Sequence, residues 1–407
     1  MRITLLNQYY TPDLAPTAHL SASLAEHRAA LGDEVRVLTS RGGYVDASDV
    51  AASESSGNLK VSRLWTPRFG KKYALLRIMD YAAFYLQTLL RMIFMKRQDV
   101  IITLTTPPLI GLTAVAHRIL HPSTKIILWN MDCYPDVLEQ VDMVKSGGIA
   151  SRLLRFLVRL QFRWVDHLVT LDEAMSDLLL RQYEPSKRKL PTTVIPNWER
   201  SSLFPKDEQY SPWTPNDSEA FRDKFVVLYL GNTGYGHEFE TVVQAAEQLR
   251  GDALVFLFVG GGKRWQMLEE AKREKNLDNF ILHGYVPKEE TPQVMNSSDC
   301  ALITLSDSSL GIMSPSKMHS NLACGLPILY LGPQGSNVDE AIETFDCGES
   351  VRHGEVDQVV AFLRRCVSDD EYRMQLKSNA RKAFDSRYCD DKTLPMFDAI
   401  IEELVQQ

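Results

Sequence analysis

Short runs of apolar residues alternate along this chain with longer segments whose apolar residues recur every three or four positions. The runs have the length of buried strands and the segments have the period of helices, so the pattern predicts parallel α/β structure. In the first half, strands are predicted at Ile3–Leu6, Glu34–Leu38, Val61–Leu64, Val100–Leu104, Lys125–Trp129 and His167–Thr170. In the second half, they are predicted within residues 225–234, 253–262, 280–286, 300–305 and 327–332.

A stretch rich in Pro, Ser and charged residues separates the two series at residues 194–224 and has no periodicity. We expect a first Rossmann-like domain over residues 1–198, a linker over 199–224, a second domain over 225–392, and a last helix within 393–407 that packs back on the first domain. The fold class is then α/β, with two Rossmann-like doubly wound domains facing across a cleft. Ligands of such sheets bind beyond the carboxyl ends of the strands, so site residues are sought in the loops that follow strands.

Composition narrows the class of protein. Residues 1–199 carry 24 Lys and Arg against 19 Asp and Glu (+5), and the rest carry 21 against 33 (−12), which sum to the net charge of −7. This asymmetry fits a first domain that faces an anionic surface, and equally two domains whose surface charges differ independently. The six cysteines have no metal-like spacing, which favours a reducing cytoplasm, and no uncharged apolar run is long enough to span a membrane.

The loop after the strand at 300–305 leads into SPSKMHSNLACGLP, which predicts a helix of about ten residues. Ser314 suits the N-cap, and Gly325 suits the position just beyond the C-terminus. The start of a helix attracts anions, and Ser316 and Lys317 would add a hydroxyl and a full positive charge there. Lys317 opposes the helix dipole unless an anion offsets it, so this residue either binds a ligand's phosphate or is an ordinary solvated lysine.

Two glycine-rich loops, LGNTGYG and VGGGKR, follow strands of the second half. Glycines let the backbone approach a diphosphate, and the polar and basic residues beside them either bind phosphate or lie at the surface. The candidates are Gly231, Asn232, Thr233, Gly234, Lys263 and Arg264. No acidic residue ends the second of these strands, where a dinucleotide site needs one for the ribose, and this argues against a nicotinamide-dependent oxidoreductase.

A third loop, LWNMDCYPDVLEQV, follows the strand Lys125–Trp129. Its Asp132 would point towards the ligand from the first domain, where a carboxylate orients an acceptor hydroxyl or accepts its proton. The alternative is a loop aspartate that caps a turn.

The segment SRLLRFLVRLQFRWVD places four arginines on one stripe of a helix, at Arg152, Arg155, Arg159 and Arg163. Its other residues are mostly apolar, which is typical of a helix that lies on an anionic membrane surface. A basic cluster at Arg68, Lys71 and Lys72 adds charge to the same domain. The alternative is a helix packed on its own sheet with its arginines in solvent.

Two kinds of partner are not expected. No Asp-x-Asp pair occurs, so no metal ion is expected to bridge a diphosphate, and positive side chains would neutralise the leaving group. No basic run with interleaved aromatic residues indicates a nucleic acid.

The order of these motifs resembles that of the retaining glycosyltransferases of family 4, which have the GT-B fold. It is most similar to the polysaccharide subgroup that includes the colanic-acid fucosyltransferase and N-acetyl-L-fucosamine transferase types. The resemblance covers nearly the whole chain, through NQYYTPDLAPTAHLSASLAEHRAALGDEVRVLT, MDCYPD, VIPNW, LYLGNTG, LFVGGG, HGYVP and PSKMHSNLACGLPIL.

The resemblance implies transfer of a sugar from a UDP- or GDP-sugar to a lipid-linked saccharide, by a cytoplasmic enzyme at the inner face of the plasma membrane. We expect no cofactor, because a nucleotide-sugar would be a substrate. It implies that Thr17 faces the donor, that the segment at Val286 holds the base, and that Asp132 and Lys317 are catalytic. The implied diphosphate ligands are Asn232, Thr233, Gly234, Ser314, Ser316 and Lys317.

Most members of that family carry two glutamates around this helix, one on the transferred sugar and one on the ribose, where this chain has Ile312 and Ser320. The usual Arg/Lys pair near the glycine loop is also replaced, by His237 or Lys263.

From the resemblance as a whole, we expect a metal-independent retaining glycosyltransferase. A nucleotide-sugar epimerase or hydrolase of the same fold, and a non-catalytic nucleotide-binding subunit of a polysaccharide assembly, remain alternatives.

Overall fold

The computed structural model describes residues 1–13, 15–41, 51–66, 74–205, 211–215, 221 and 223–406, without the side chains of 74–78 and 288. It forms two compact units. Unit 1 is Met1–Pro196 with Thr393–Gln407, and unit 2 is Asn197–Lys392. The basic cluster Arg68, Lys71 and Lys72 lies outside the described residues.

Unit 1 is built on a sheet in which every described pair of neighbouring strands is parallel except β3 with β4. The strands are Arg2–Leu6 (β1), Glu34–Ser40 (β2), Ser53–Ser56 (β3), Leu59–Leu64 (β4), Val100–Thr103 (β5), Lys125–Trp129 (β6), His167–Thr170 (β7) and Thr192–Val194 (β8). Their order is β3-β4-β2-β1-β5-β6-β7-β8. Strands β5 and β7 are buried along their whole length, as strands covered on both faces are, and this explains their continuous apolar runs.

The helices of unit 1 connect these strands. They are Pro16–Ala30 (α1), Ala74–Phe94 (α2), Gly111–Leu120 (α3), Asp136–Gln140 (α4), Ile149–Phe162 (α5) and Glu173–Tyr183 (α6). Helix α2 packs beside α3, and α3 packs beside α5.

Unit 2 contains a second sheet, in which all described neighbours are parallel. Its strands are Phe225–Asn232 (β9), Leu254–Gly261 (β10), Phe280–His283 (β11), Cys300–Thr304 (β12), Ile328–Leu331 (β13) and Gly348–Val351 (β14), in the order β11-β10-β9-β12-β13-β14. Its helices are Glu240–Gln248 (α7), Trp265–Lys275 (α8), Thr291–Asn296 (α9), Lys317–Ala323 (α10), Asn337–Phe345 (α11), Val356–Ser368 (α12) and Asp370–Ala383 (α13). This strand order is that of a Rossmann domain.

The last helix, α14 (Asp390–Gln406), returns to unit 1 for most of its length. The ring of Phe397 lies 4.7 Å from that of Trp129. The Asp398 carboxylate accepts a hydrogen bond of 2.8 Å from Arg28 of α1, which is only 2% exposed and also pairs with Asp33. A buried arginine held by two carboxylates is costly to separate from either, so these contacts fix α14 on unit 1.

The described part of residues 199–224 packs on unit 2. Phe204, Trp213 and Phe221 are buried in its core. The indole N–H of Trp213 donates to Glu290 at 3.2 Å, and its backbone N–H donates to Ser297 Oγ at 2.8 Å. Aromatic burial therefore anchors this segment although its sequence has no period.

Two doubly wound sheets, in which parallel pairs predominate, confirm the predicted α/β fold class, and every predicted strand is present. Strands β3, β8 and β14 were not predicted. β3 reads SESS and is exposed throughout, and β8 and β14 have three and four residues, so no apolar run marks them.

Candidate functional site

In unit 2 the strand order reverses between β9 and β12, whose carboxyl ends lie side by side. The loops that leave two such strands turn to opposite halves of the sheet and leave space for a ligand between them. β9 continues into the loop LGNTGYG, and β12 continues into the loop that leads to α10. Several of the candidate residues meet at this point.

The glycine-rich loops after β9 and β10 pack on each other too closely for side chains. A Cβ added to Gly260 would lie 2.2 Å from the carbonyl oxygen of Gly231, and one added to Gly262 would lie 2.3 Å from Oδ1 of Asn232. Both Gly260 and Gly262 have a φ in the left-handed region, at 143° and 131°. Gly260 and Gly262 therefore allow β9 and β10 to stay paired up to the rim of the site.

Lys317, the first residue of α10, extends beneath the loop after β9. Its Nζ donates hydrogen bonds to the Tyr229 hydroxyl oxygen at 3.0 Å and to the Asn232 carbonyl oxygen at 3.3 Å. A third hydrogen bond goes to Nε2 of His237 at 3.2 Å, and the Tyr229 ring centre lies 4.7 Å away. No carboxylate of the described residues pairs with this ammonium. Its partners are neutral, so the positive charge is uncompensated.

The surroundings of Lys317 change its protonation. The side chain is half-buried, and burial lowers the pKa of Lys317 from its ordinary value to about 7. An anion bound against Nζ would raise this pKa again, because it favours the charged form. The lysine is thus suited to bind a negatively charged group together with a proton.

The contacts of His237 define its tautomer. Nδ1 lies 2.7 Å from the carbonyl oxygen of Thr304, the last residue of β12. A carbonyl oxygen only accepts, so Nδ1 carries the proton and Nε2 presents its lone pair to Lys317. Burial and the charge of Lys317 lower the pKa of His237 to about 3, so the imidazole is neutral. Lys317 and His237 together connect the ends of β9 and β12.

Helix α10 differs from its prediction. It spans Lys317–Ala323, seven residues, and its N-cap is Ser316, without a side-chain capping bond, so the prediction of Ser314 as the cap was wrong. Pro315 therefore lies just before the N-cap and not at the first helical position. Gly325, with φ 68°, follows the helix end as predicted. So short a helix aligns few peptide dipoles, and the charge of the site therefore comes mainly from Lys317.

The other donor-site candidates differ in exposure. Thr233 is fully buried and donates its hydroxyl hydrogen bond to the Gly261 carbonyl at 3.1 Å, so it supports the loop. Lys263 and Arg264 are exposed, and neither charged group is held by a described residue. Gly234 is half-buried in the loop after β9.

Around α10, Ile312, Ser314 and Ser316 are half-buried. The Ser320 hydroxyl donates to the Lys317 carbonyl at 3.3 Å, which ties it to its own helix. Val286 lines a pocket in unit 2 together with Tyr285 and Trp213.

In unit 1 the strand order reverses between β1 and β5, and Asp132 follows the adjacent strand β6. Its backbone N–H donates to Thr105 Oγ1 at 3.2 Å, but no described residue donates to its carboxylate. Burial raises the pKa of Asp132 to about 6. Burial and the nearby Asp132 charge also raise the pKa of Tyr134. Thr17, at the start of α1, contributes its carbonyl oxygen, which accepts from Asn7 at 3.3 Å.

Three of the four arginines predicted as a stripe are exposed, but Arg155 is not. Its guanidinium donates to Asp136 at 2.9 Å, to Glu139 at 3.1 Å and to the Tyr183 hydroxyl oxygen at 3.0 Å. These contacts join α4, α5 and α6. The prediction that Arg155 belongs to an interfacial stripe is therefore corrected, because its charge is compensated inside unit 1.

The exposed face of α5 also carries large apolar side chains. Ile149, Leu153 and Phe156 are 87%, 56% and 60% exposed. Helix α3, which packs beside α5, exposes Ile119 and Leu120, and α2, which packs beside α3, exposes Leu90 and Phe94. Within the described residues, no helix has both the length and the hydropathy needed to cross a bilayer.

Two residues of the site were not predicted. Tyr229 lies in the apolar run FVVLYL, which indicates a buried strand and gives no sign that its hydroxyl reaches a lysine. Thr304 acts through its backbone carbonyl, which leaves no signal in a sequence. In the described part of the chain, no three His, Cys, Asp or Glu side chains are grouped so that they could hold a metal ion.

Two family models match the chain. Residues 18–198 match the glycosyl transferase 4-like domain, and residues 214–383 match glycosyl transferases group 1. A putative colanic acid biosynthesis glycosyl transferase of Escherichia coli K12, WcaI, is 22% identical over 95% of this chain and 97% of its own. The probable glycosyltransferase WbjE of Pseudomonas aeruginosa is 26% identical, over 62% of each chain, so that match spans less than two thirds of WbjE.

A solved structure has the same fold. HepE of Anabaena, in complex with UDP, superposes with a TM-score of 0.68 at 13% identity, covering 99% of this chain and 100% of HepE. The fold class is thereby confirmed over both units. The matched families and relatives favour a transferase over the epimerase, hydrolase and binding-subunit alternatives.

Proposed function

The chain belongs to the glycosyltransferases with a 4-like domain and a group 1 domain, and we propose that it transfers a sugar, with retention, from a nucleoside-diphosphate donor to a hydroxyl acceptor. No divalent metal takes part in this proposal. The observation that carries it is the uncompensated ammonium of Lys317 at the switch point of a Rossmann sheet. A diphosphate is the anion that this fold binds at such a point.

The proposed step breaks the bond between the anomeric carbon and the diphosphate oxygen. The bonding electrons pass to that oxygen, so negative charge grows on the leaving diphosphate. The Lys317 ammonium stabilises this charge more in the transition state than in the bound donor, which is the condition for catalysis. The acceptor oxygen enters on the face from which the diphosphate leaves, and the configuration is retained.

Asp132 has the proposed role of orienting the acceptor hydroxyl and accepting its proton. Two observations support this role. Its carboxylate receives no hydrogen bond from the described residues, and its raised pKa makes it a stronger base than an ordinary aspartate. The new glycosidic bond forms as that proton leaves the acceptor oxygen.

The relatives support a first choice of donor base and acceptor for this proposal. The HepE structure contains UDP, so we take UDP-sugars as the first donors to test, with GDP-sugars second, and the pocket at Val286 as the base site. The relation to a putative colanic acid transferase supports a saccharide acceptor in polysaccharide synthesis.

A peripheral contact with the cytoplasmic membrane face is part of the proposal. The exposed apolar residues Leu153 and Phe156 of α5 lie beside the exposed Arg152, Arg159 and Arg163. Apolar side chains that enter a bilayer next to cations that meet anionic headgroups are typical of an interfacial helix.

Flotation with vesicles of phosphatidylcholine and phosphatidylglycerol tests this contact. We expect the triple variant R152Q/R159Q/R163Q to lose most vesicle binding. We expect the variant L153S/F156S to lose vesicle binding as well, whatever the phosphatidylglycerol content of the vesicles. Arg155 is left unchanged because its loss would disturb α5. Equal flotation of wild type and both variants would contradict the membrane contact.

A donor screen tests the activity itself. Thermal shift against UDP- and GDP-sugars identifies the nucleotide, and turnover is then measured with and without saccharide acceptors. We expect product only with an acceptor. Complete conversion of the donor without one would favour the epimerase or hydrolase instead.

A further inference from the structure

The contacts of His237 indicate a role other than binding phosphate as a positively charged imidazolium. Its ring lies between two fixed points, the Thr304 carbonyl at 2.7 Å on one side and Lys317 Nζ at 3.2 Å on the other. The first contact holds the proton on Nδ1, so the second contact offers the lysine an acceptor. A neutral imidazole that accepts from an ammonium cannot also serve as a positive ligand of an anion.

The lysine needs this acceptor because its long side chain has many rotamers. The Tyr229 hydroxyl donates its own proton to the Asn232 carbonyl at 2.9 Å and therefore accepts from Nζ with its oxygen. These groups hold Nζ from the β9 side. His237 holds it from the β12 side, so that removing His237 would leave the ammonium tethered at one edge only.

We propose that His237 is a positioning residue, which acts as a neutral hydrogen-bond acceptor and fixes the Lys317 ammonium where the diphosphate binds. This inference rests on the proposed function, because it assumes that Lys317 meets the diphosphate. Two titratable groups of the described residues contact Nζ, the phenol of Tyr229 and the imidazole of His237.

The test measures UDP affinity by calorimetry for wild type, K317M, H237F, H237Q and the double variant K317M/H237F. Phenylalanine keeps a ring against Tyr229 and Phe239, which lie 5.8 and 6.4 Å from the imidazole, but offers no acceptor. Glutamine places an amide oxygen near the position of Nε2. Each variant's melting temperature is recorded to confirm that it folds.

We expect H237F to weaken UDP binding about tenfold, since a hydrogen bond to a charged group is lost. H237Q should restore most of the affinity. In the K317M background, H237F should have no further effect, because the ammonium that it positions is absent. Weakening by H237F that is as large in K317M as in wild type would overturn the proposal, since His237 would then act on the fold alone.

A pH series gives a second readout. UDP affinity of the wild type should fall above pH about 7, where free Lys317 loses its proton, although UDP itself gains negative charge. In H237F the fall should begin at lower pH. The Lys317 ammonium loses a hydrogen-bond acceptor in this variant, which destabilises the charged form and lowers the pKa of the lysine further. An unshifted profile would count against the positioning role.

The failure of this inference is distinguishable from failure of the proposed function. If K317M binds UDP as well as wild type, the diphosphate does not meet Lys317 and the proposed function is wrong. If K317M loses binding while H237F retains wild-type affinity, only the inference about His237 is wrong.

Discussion

The sites of the two units place opposite charges in comparable surroundings. Asp132 of unit 1 and Lys317 of unit 2 both follow the carboxyl end of a parallel strand, and neither has a charged partner among the described residues. Burial moves their pKa values towards each other, to about 6 for Asp132 and about 7 for Lys317. Both groups therefore titrate near neutral pH, and their pKa values alone do not separate their roles.

Hydrogen bonding does separate the two groups. The Lys317 ammonium donates to three neutral acceptors that fix its position, whereas the Asp132 carboxylate receives no hydrogen bond from the described residues. A fixed charge suits the stabilisation of a leaving anion, because no reorganisation is needed when the negative charge develops. A carboxylate without donors suits proton transfer, because its basicity is not reduced by hydrogen bonds.

The replacement K317M should have the largest effect. Methionine keeps the length and apolar stem of the lysine but removes the charge, and we expect kcat to fall by about 100- to 1,000-fold, as when one preorganised charge partner is removed. Turnover with the identified donor and acceptor is the measurement.

The matched control for K317M is K272M, because Lys272 is an exposed lysine on α8 of the same unit. Its kcat should equal that of wild type. Near-normal turnover by K317M, with the protein folded, would remove the leaving-group role and with it the contrast between the two units.

The replacement D132N should lower kcat by about 100-fold, at the lower end of what general-base catalysis contributes. Asparagine keeps the shape of the side chain but cannot accept the acceptor's proton. UDP affinity, measured by calorimetry, should not change. If D132N instead weakens UDP binding and leaves kcat intact, Asp132 belongs to the donor site and the proposed division of roles is wrong.

The pH dependence of kcat/KM should be a narrow bell, since kcat/KM reports the free enzyme. Activity should fall below pH about 6, where Asp132 becomes protonated, and above pH about 7, where Lys317 becomes neutral. Each decline should approach tenfold per pH unit. The variant K317R should lose the alkaline decline, because arginine stays charged. A bell unchanged in K317R would assign that decline to another group.

The sequence predicted the fold well, because apolar runs and turn residues are local signals. The three glycines of VGGG and the Gly325 helix end were recognisable for the same reason. Lys317 could be predicted from its place at the start of a short helix that follows a strand. Its partners could not, because the Tyr229 hydroxyl and the His237 ring, which the Thr304 carbonyl holds, reach it only through the pairing of β9 with β12.

The arginine stripe shows the opposite error. Helical spacing placed Arg155 with its three neighbours correctly along α5, but spacing does not reveal acidic residues on other elements. Asp136 and Glu139 of α4 compensate its charge, and only the fold brings them there.

The double replacement K263M/R264M should have the smallest effect, less than about fivefold on UDP affinity. Both charges are exposed, and solvent-exposed ion pairs contribute little because water and salt screen them. The effect should also disappear when the NaCl concentration is raised from 50 to 500 mM, whereas the contribution of half-buried Lys317 should persist. Calorimetric titrations of UDP at both salt concentrations measure this difference. A loss as large as that of K317M, insensitive to salt, would mean that the diphosphate lies over the VGGGKR loop and that Lys317 is not its main partner.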